Sequence, residues 1–261
     1  MRSRWLHAWC LLALLPRAIH AQDRTPRLTG GAEAAGNLLY GAASQRVVTT
    51  SANARWLDRG VELRLDAATG YGDARDQSTG VRRVIVRNSR IGLTSDLHLH
   101  DRISPFGLGS LENSLQQRVG SRIIVGGGVK FTLWSPPSPI PDFSEDASLS
   151  IALLDERTSP LSVAGSDTAG RRVTRTRYSV RLRYRRQLTR HLRITHVTYY
   201  QPAVGTASRY TMDIATTLLL PVARRLDFTV TQRERIDSEA RARGAPSARD
   251  GQLLFGVRTT F

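Results

Sequence analysis

The sequence predicts an all-β chain that closes as a transmembrane antiparallel β-barrel of about 10 to 12 strands. Three observations predict it: an export signal at the N-terminus, a period-two apolar alternation recurring through the rest of the chain, and a last strand that ends on Phe261.

At the N-terminus, Arg2 and Arg4 precede an apolar stretch from Ala8 to Leu15, and Pro16, Ala18 and Ala21 follow. A charged start, a short apolar run and small residues before a cut make a secretory signal peptide. The run of about eight residues is far below the roughly 20 that a helix needs to cross a bilayer core. Residues 1–21 are therefore expected to be removed. Residues 22–37, rich in small side chains, read as a flexible leader, and residues 38–261 as the barrel. The one cysteine, Cys10, leaves with the signal, so neither disulfides nor thiolate metal ligands are expected in the mature chain.

The chain carries 38 Lys and Arg against 22 Asp and Glu. Such an excess ordinarily raises nucleic-acid binding. Here the cations are spread over alternating segments behind an export signal, with no nucleic-acid-binding motif, and nucleic acid is excluded as a partner. Beyond the signal every cation but Lys130 is arginine, whose planar fork pairs with carboxylates and phosphates as lysine cannot.

The alternation assigns the faces. Leu38 to Val48 reads as a first segment. Val61, Leu63, Leu65, Ala67, Thr69 and Tyr71 then alternate with Glu62, Arg64 and Asp66, and Ile91, Leu93, Leu97 and Leu99 with Asp96, His98 and His100. Further copies run through Ile123 to Leu133, Leu149 to Leu153, Tyr210 to Leu220, Leu226 to Val230 and Leu253 to Phe261. The clearest copy sets Thr174, Thr176, Tyr178, Val180, Leu182 and Tyr184 against Arg175, Arg177, Arg181, Arg183 and Arg185. A lipid-facing arginine near the midplane costs roughly 2 to 4 kcal/mol, so these five arginines are expected to line the lumen. Glu62, Asp66, Asp96, His98, His100, Glu156, Asp213 and Asp227 are expected to line it with them. Eleven segments can be read in all. A soluble periplasmic ligand-binding barrel or sandwich would alternate too. Its core would then rest on one apolar stripe per strand, with few aromatics and no disulfide, which favours the membrane barrel.

Three stretches carry a family resemblance: Pro105 to Asn113, the glycine-rich Gly126 to Phe131, and the ending from Ile236 through Asp250 to Gly256–Phe261. In these the chain resembles the salt-induced outer-membrane proteins, a family with a domain of unknown function, over roughly Trp56 to Phe261. The resemblance implies a bacterial outer-membrane barrel and names no catalytic residue. Phe261 closing a strand resembles the assembly signal of such barrels and implies the barrel-assembly machinery as a partner.

Neither a Gly-x-Ser-x-Gly elbow nor a His-Glu-x-x-His pair occurs, and no catalytic residue or cofactor is singled out. His98 and His100 share a face with Asp96, which suits a metal or, more simply, a polar lumen. His196 is expected in an interfacial aromatic cluster with Tyr199 and Tyr200. Gly126 to Gly128 are read as serving bending or close packing.

With Phe261 on the periplasmic side, the connections at 101–105, 187–191 and 221–225 are short inner turns, the long 134–145 connection joins them there, and 158–171 and 236–250 are long outer loops. Arg233, Arg235, Arg241, Arg243 and Arg249 are expected to reach lipid, including lipopolysaccharide, phosphates there. The functional expectation is a structural or envelope-stress barrel, or a narrow pore with an arginine-rich lumen. The alternatives are an outer-membrane lipid or peptide hydrolase, and the soluble binding barrel.

Overall fold

The computed structural model describes residues 27–39, 44–75, 79–98, 102–136, 145–161 and 172–261. The expected signal peptide lies outside the described residues, as does His100. Twelve strands occur among the described residues: β1 Arg27–Leu39, β2 Ser44–Asp58, β3 Val61–Arg75, β4 Arg82–Leu97, β5 Ile103–Ser114, β6 Val119–Trp134, β7 Asp146–Pro160, β8 Val173–Thr189, β9 Leu192–Ala203, β10 Thr206–Ala223, β11 Leu226–Asp237 and β12 Arg249–Thr260. Each pairs antiparallel with the next and β12 returns to β1, so the sheet closes into a barrel. Closure removes the edge strands that an open sheet would leave unpaired.

One rim carries the start of β1, the end of β12 and the turns that include Arg59–Gly60, Arg190–His191 and Arg224–Arg225; we call it the terminal rim. The opposite, loop rim carries the connections after β1, β3, β5, β7, β9 and β11. The grouping of connections is the one the alternation predicts. Strands of 12 to 18 residues exceed the roughly nine to eleven that a tilted strand needs to cross hydrocarbon.

The N-terminal boundary needs correction. Residues 27–37 are no leader: they build β1, which pairs along its length with β2 and from Gly31 to Gly36 with β12. The outer face of β1 offers Gly30, Ala32, Ala34 and Gly36 between Leu28 and Leu38, and such small side chains carry little period-two signal. Backbone pairing on both sides, not side-chain propensity, makes this strand. Leu38 to Val48 instead straddles the β1–β2 connection, which is why the alternation yields eleven segments for twelve strands. The barrel seam then closes at Phe261, whose N–H donates to the Gly30 carbonyl while the Gly30 N–H donates back, both at 3.0 Å.

Alternation sorts the side chains as expected. Leu65, Leu93, Ile151, Leu153, Phe255 and Val257 are exposed on the outer face. Inside, a small apolar cluster of Phe106, Ile124, Ala152 and Leu154 packs with Leu108. Gly128 allows β6 to sit close to β7 here, because a Cβ on it would fall 2.6 Å from the Ala152 Cα. Proline stays near strand ends. Pro105 precedes Phe106, the first β5 residue paired to β4, and so takes no ladder donor from that side.

Candidate functional site

The charged residues of the inner face form two groups, one toward each rim. Toward the loop rim, β6 points Arg122 inward, where it meets Glu112 of β5 at 2.9 Å, Glu156 of β7 at 3.5 Å and Asp237 of β11 at 2.7 Å. Four strands separate β6 from β11 around the wall, so this last contact crosses the interior. Arg177 of β8 bonds Glu156 at 2.7 Å and also donates to the backbone carbonyls of Gln201 and Arg209. Arg235 of β11 crosses back to Glu112 at 2.6 Å.

The β11–β12 connection completes this group. Its single 3-10 turn, Arg241–Arg243, follows Glu239, which pairs with Arg175 and Arg177. Arg243 bonds Asp237 at 2.5 Å and donates to the Gln117 carbonyl at 3.1 Å, tying this connection to the β5–β6 turn. Burial pulls the Arg243 guanidinium below its usual pKa, and Asp237 opposes that shift. Ala240, on the same connection, is fully buried. The side chains of Arg122 and Arg177 are 2% exposed and that of Asp237 0%. Buried charges of this kind persist only when paired and hydrogen-bonded, and here each has several partners.

Toward the terminal rim the pattern changes. Arg181 lies over the rings of Phe106 and Tyr199, 5.9 Å from each centroid, and donates to the Ser150 hydroxyl. Arg183 and Arg185 converge on one carboxylate, Asp146, at 3.6 and 2.5 Å, with side chains 22% and 23% exposed. Arg64 pairs with Asp66 at 2.9 Å, Lys130 with Asp96 at 2.5 Å and Arg193 with Asp227 at 3.8 Å.

On the same rim, His98 bonds Glu62 at 3.1 Å through Nε2 and approaches the Ser104 hydroxyl at 3.4 Å through Nδ1. The order Ser, His, Glu invites comparison with a hydrolytic triad. Ser104 is only 2% exposed, which keeps a substrate carbonyl from its Oγ, and Arg55 already holds Glu62 at 2.7 Å. Glu62, Asp96 and His98 also bring ligand atoms within 4.8 Å of one another. A cation there would compete with Arg55 and Lys130, so we read the set as an ion-pair cluster.

Arg175, Arg177, Arg181, Arg183, Arg185, Glu62, Asp66, Asp96, His98, Glu156, Asp213 and Asp227 point to the inner face of their strands, and His100 lies outside the described residues. Asp213, for example, pairs with Arg233 at 3.1 Å. The loop-rim arginines need correction. Arg233, Arg235 and Arg243, expected to reach outward to lipid phosphates, turn into the barrel to meet Asp213, Glu112 and Asp237. Carboxylates on neighbouring and facing strands, invisible to a single-strand pattern, capture them. Glu112, Arg122 and Asp237 are among the interior charges that sequence reasoning passed over, although their strand parity marks all three. His196 faces outward opposite Tyr184, bonded by Thr198 and Thr216 at 2.8 Å; Tyr199 turns inward, so the expected aromatic cluster loses that member.

Residues 32–261 match the model of the family described as "Protein of unknown function, DUF481", and the chain belongs to that family. No curated protein matches it. Among solved structures it is similar to the KdgM porin at 10% identity, covering 89% of this chain and 99% of that one with a TM-score of 0.43. The NanC porin covers 88% and 97% at 10% identity and a TM-score of 0.45. The COG4313 outer membrane channel from Pseudomonas putida F1 covers 95% and 98% at 9% identity and a TM-score of 0.45.

Proposed function

We propose that this barrel sits in a bacterial outer membrane and forms a narrow pore that favours small anions, entered through a cationic vestibule at the terminal rim and constricted at the loop rim. The membrane reading is supported by the apolar outer face and by its aromatics. Trp134, Phe228 and Phe261 are exposed toward the terminal rim, and Tyr71, Tyr178 and Tyr200 toward the loop rim. Two aromatic girdles flanking an apolar band suit the two interfaces of a bilayer.

The observation that carries the anion preference is that Arg183 and Arg185 share Asp146 while remaining about a fifth exposed, beside Arg181, whose contacts are rings and a hydroxyl. Partly solvated guanidiniums in excess over carboxylates set a positive potential, which raises the local concentration of anions and lowers that of cations. The loop-rim network supports a constriction, because its pairs bridge facing walls.

A non-conducting structural barrel, the envelope-stress reading, is the second possibility, and the cross-barrel Arg122–Asp237 pair favours it. Planar-bilayer recording separates the two. The pore reading expects discrete conductance steps and, under a salt gradient, a reversal potential of the anion-selective sign. A silent bilayer containing protein whose gel migration is heat-modifiable would support the structural barrel.

A further inference from the structure

The outer wall is indented where its side chains are smallest. Ala32, Ala52 and Ala67 stand side by side in register across β1, β2 and β3, and Ala34, Thr50, Thr69 and Ser89 form the next row through β4. Together they floor a concavity of about 1010 Å3 that continues past Leu111 of β5 on one side and Val257 of β12 on the other. Larger outward side chains border it, Leu65 and Leu93 toward the terminal rim and Val48 and Tyr71 toward the loop rim. An apolar indentation in a lipid-facing wall is a seat for a chain of methylenes, since side chains there leave dispersion contacts unmade.

Outward cations stand directly above it. Arg87 is the next outward residue after Ser89 on β4 and lies opposite Tyr71, about 7 Å further along the strand. Arg46 and Arg82 follow toward the loop rim and share Asp73 at 3.0 and 3.1 Å, with side chains 57% and 48% exposed. Two guanidiniums on one carboxylate, with Arg87 beside them, leave donors directed at the interface, where a phosphate makes charge-assisted contacts.

We infer that this wall binds a phosphate-bearing lipid of the leaflet at the loop rim, its acyl chain along the trough and its phosphate at Arg46, Arg82 and Arg87. The inference rests on the membrane-barrel reading and assigns lipid phosphate to residues other than the loop arginines that turn inward. Charge decides the occupant: an apolar groove capped by cations matches an anionic amphiphile better than a second barrel, whose equivalent patch carries the same sign.

The test is native mass spectrometry of the delipidated full-length protein, offered lipid A, dephosphorylated lipid A or phosphatidylethanolamine, with heat-modifiable migration confirming a folded barrel. The wild type should hold lipid A about tenfold more tightly than its dephosphorylated form. The combined R46S, R82S and R87S variant should lose that preference, and A67W, or the milder A52L if A67W fails to fold, should weaken retention of every lipid. A folded barrel that binds lipid A equally with and without phosphate overturns the site while leaving the barrel intact. A wild-type dimer that A52L or A67W dissociates gives the trough to a second copy and also overturns it. Wild-type protein that leaves with the soluble fraction fails the membrane reading itself.

Discussion

The two halves of the barrel interior use the same residues differently. Toward the loop rim, Arg122, Arg177 and Asp237 are almost fully desolvated, and Arg122 and Arg177 bond further partners, Thr158 and the Gln201 carbonyl, on neighbouring strands. Toward the terminal rim, Arg64 and Asp66 remain 41% and 47% exposed, and Arg183 and Arg185 share one carboxylate. One strand, β8, contributes to both, with Arg175 and Arg177 at one end and Arg181, Arg183 and Arg185 at the other. An arginine's role here is set by how many carboxylates the facing strands deliver to its level. Where they match, the charges lock the walls together; where they fall short, as at Asp146, two guanidiniums share one carboxylate and stay partly exposed.

The sharpest way to break this contrast is to remove one member from each half. Arg122→Gln leaves Glu112 and Asp237 buried with one partner fewer, and unmaking a buried pair costs about 3–5 kcal/mol. Arg64→Gln breaks a half-exposed pair, for which the scale is about 0–1 kcal/mol. Urea titration of the refolded barrel should show a clear loss for the first and almost none for the second. Equal effects would erase the distinction between the halves.

A somewhat smaller effect is expected from outward substitution. Val180→Arg or Leu182→Arg places a guanidinium against hydrocarbon at roughly 2 to 4 kcal/mol near the midplane, and the heat-modifiable species should fall in the membrane fraction. Arg181→Gln, one position away, should assemble normally. If the two faces tolerate arginine alike, the inward and outward assignments fail.

Asp237→Asn sharpens the contrast from the loop-rim side. It weakens the hold on both Arg122 and Arg243, so the 238–248 connection should become more readily cut by trypsin in the native barrel, and open-state conductance should rise. Unchanged cleavage and conductance would mean that the connection does not set the constriction.

Much of this was legible in the sequence. The five β8 arginines and Glu62, Asp66, Asp96, Asp213 and Asp227 could be placed on one face because uncharged residues, most of them apolar, alternate with them, and Glu156 through the alternation of Leu149, Ile151 and Leu153 earlier in its segment. β1 was not legible, because alternating glycine and alanine leave no contrast between faces and its strand character comes from pairing with β2 and β12. The network was legible only as an inventory. That Arg235 meets Glu112 across the barrel depends on strand order and shear, which no single segment records. For the same reason the loop arginines looked free to face lipid, although Glu112 holds Arg235 across the interior, Asp213 of the neighbouring strand holds Arg233, and Asp237 holds Arg243.

The smallest structural perturbation tests the central claim most directly. Replacing Arg181, Arg183 and Arg185 by glutamine removes charge from the accessible half and leaves the Arg122–Asp237 network untouched. Reversal potential in planar bilayers under a salt gradient, recorded for the wild type and for this triple variant, reads the consequence. Wild-type current should be anion-selective, and the variant should move toward no selectivity while keeping its assembly. A wild type that prefers cations, or a variant whose reversal potential does not move, would contradict the claim that partly solvated arginines of the terminal half select what enters the barrel.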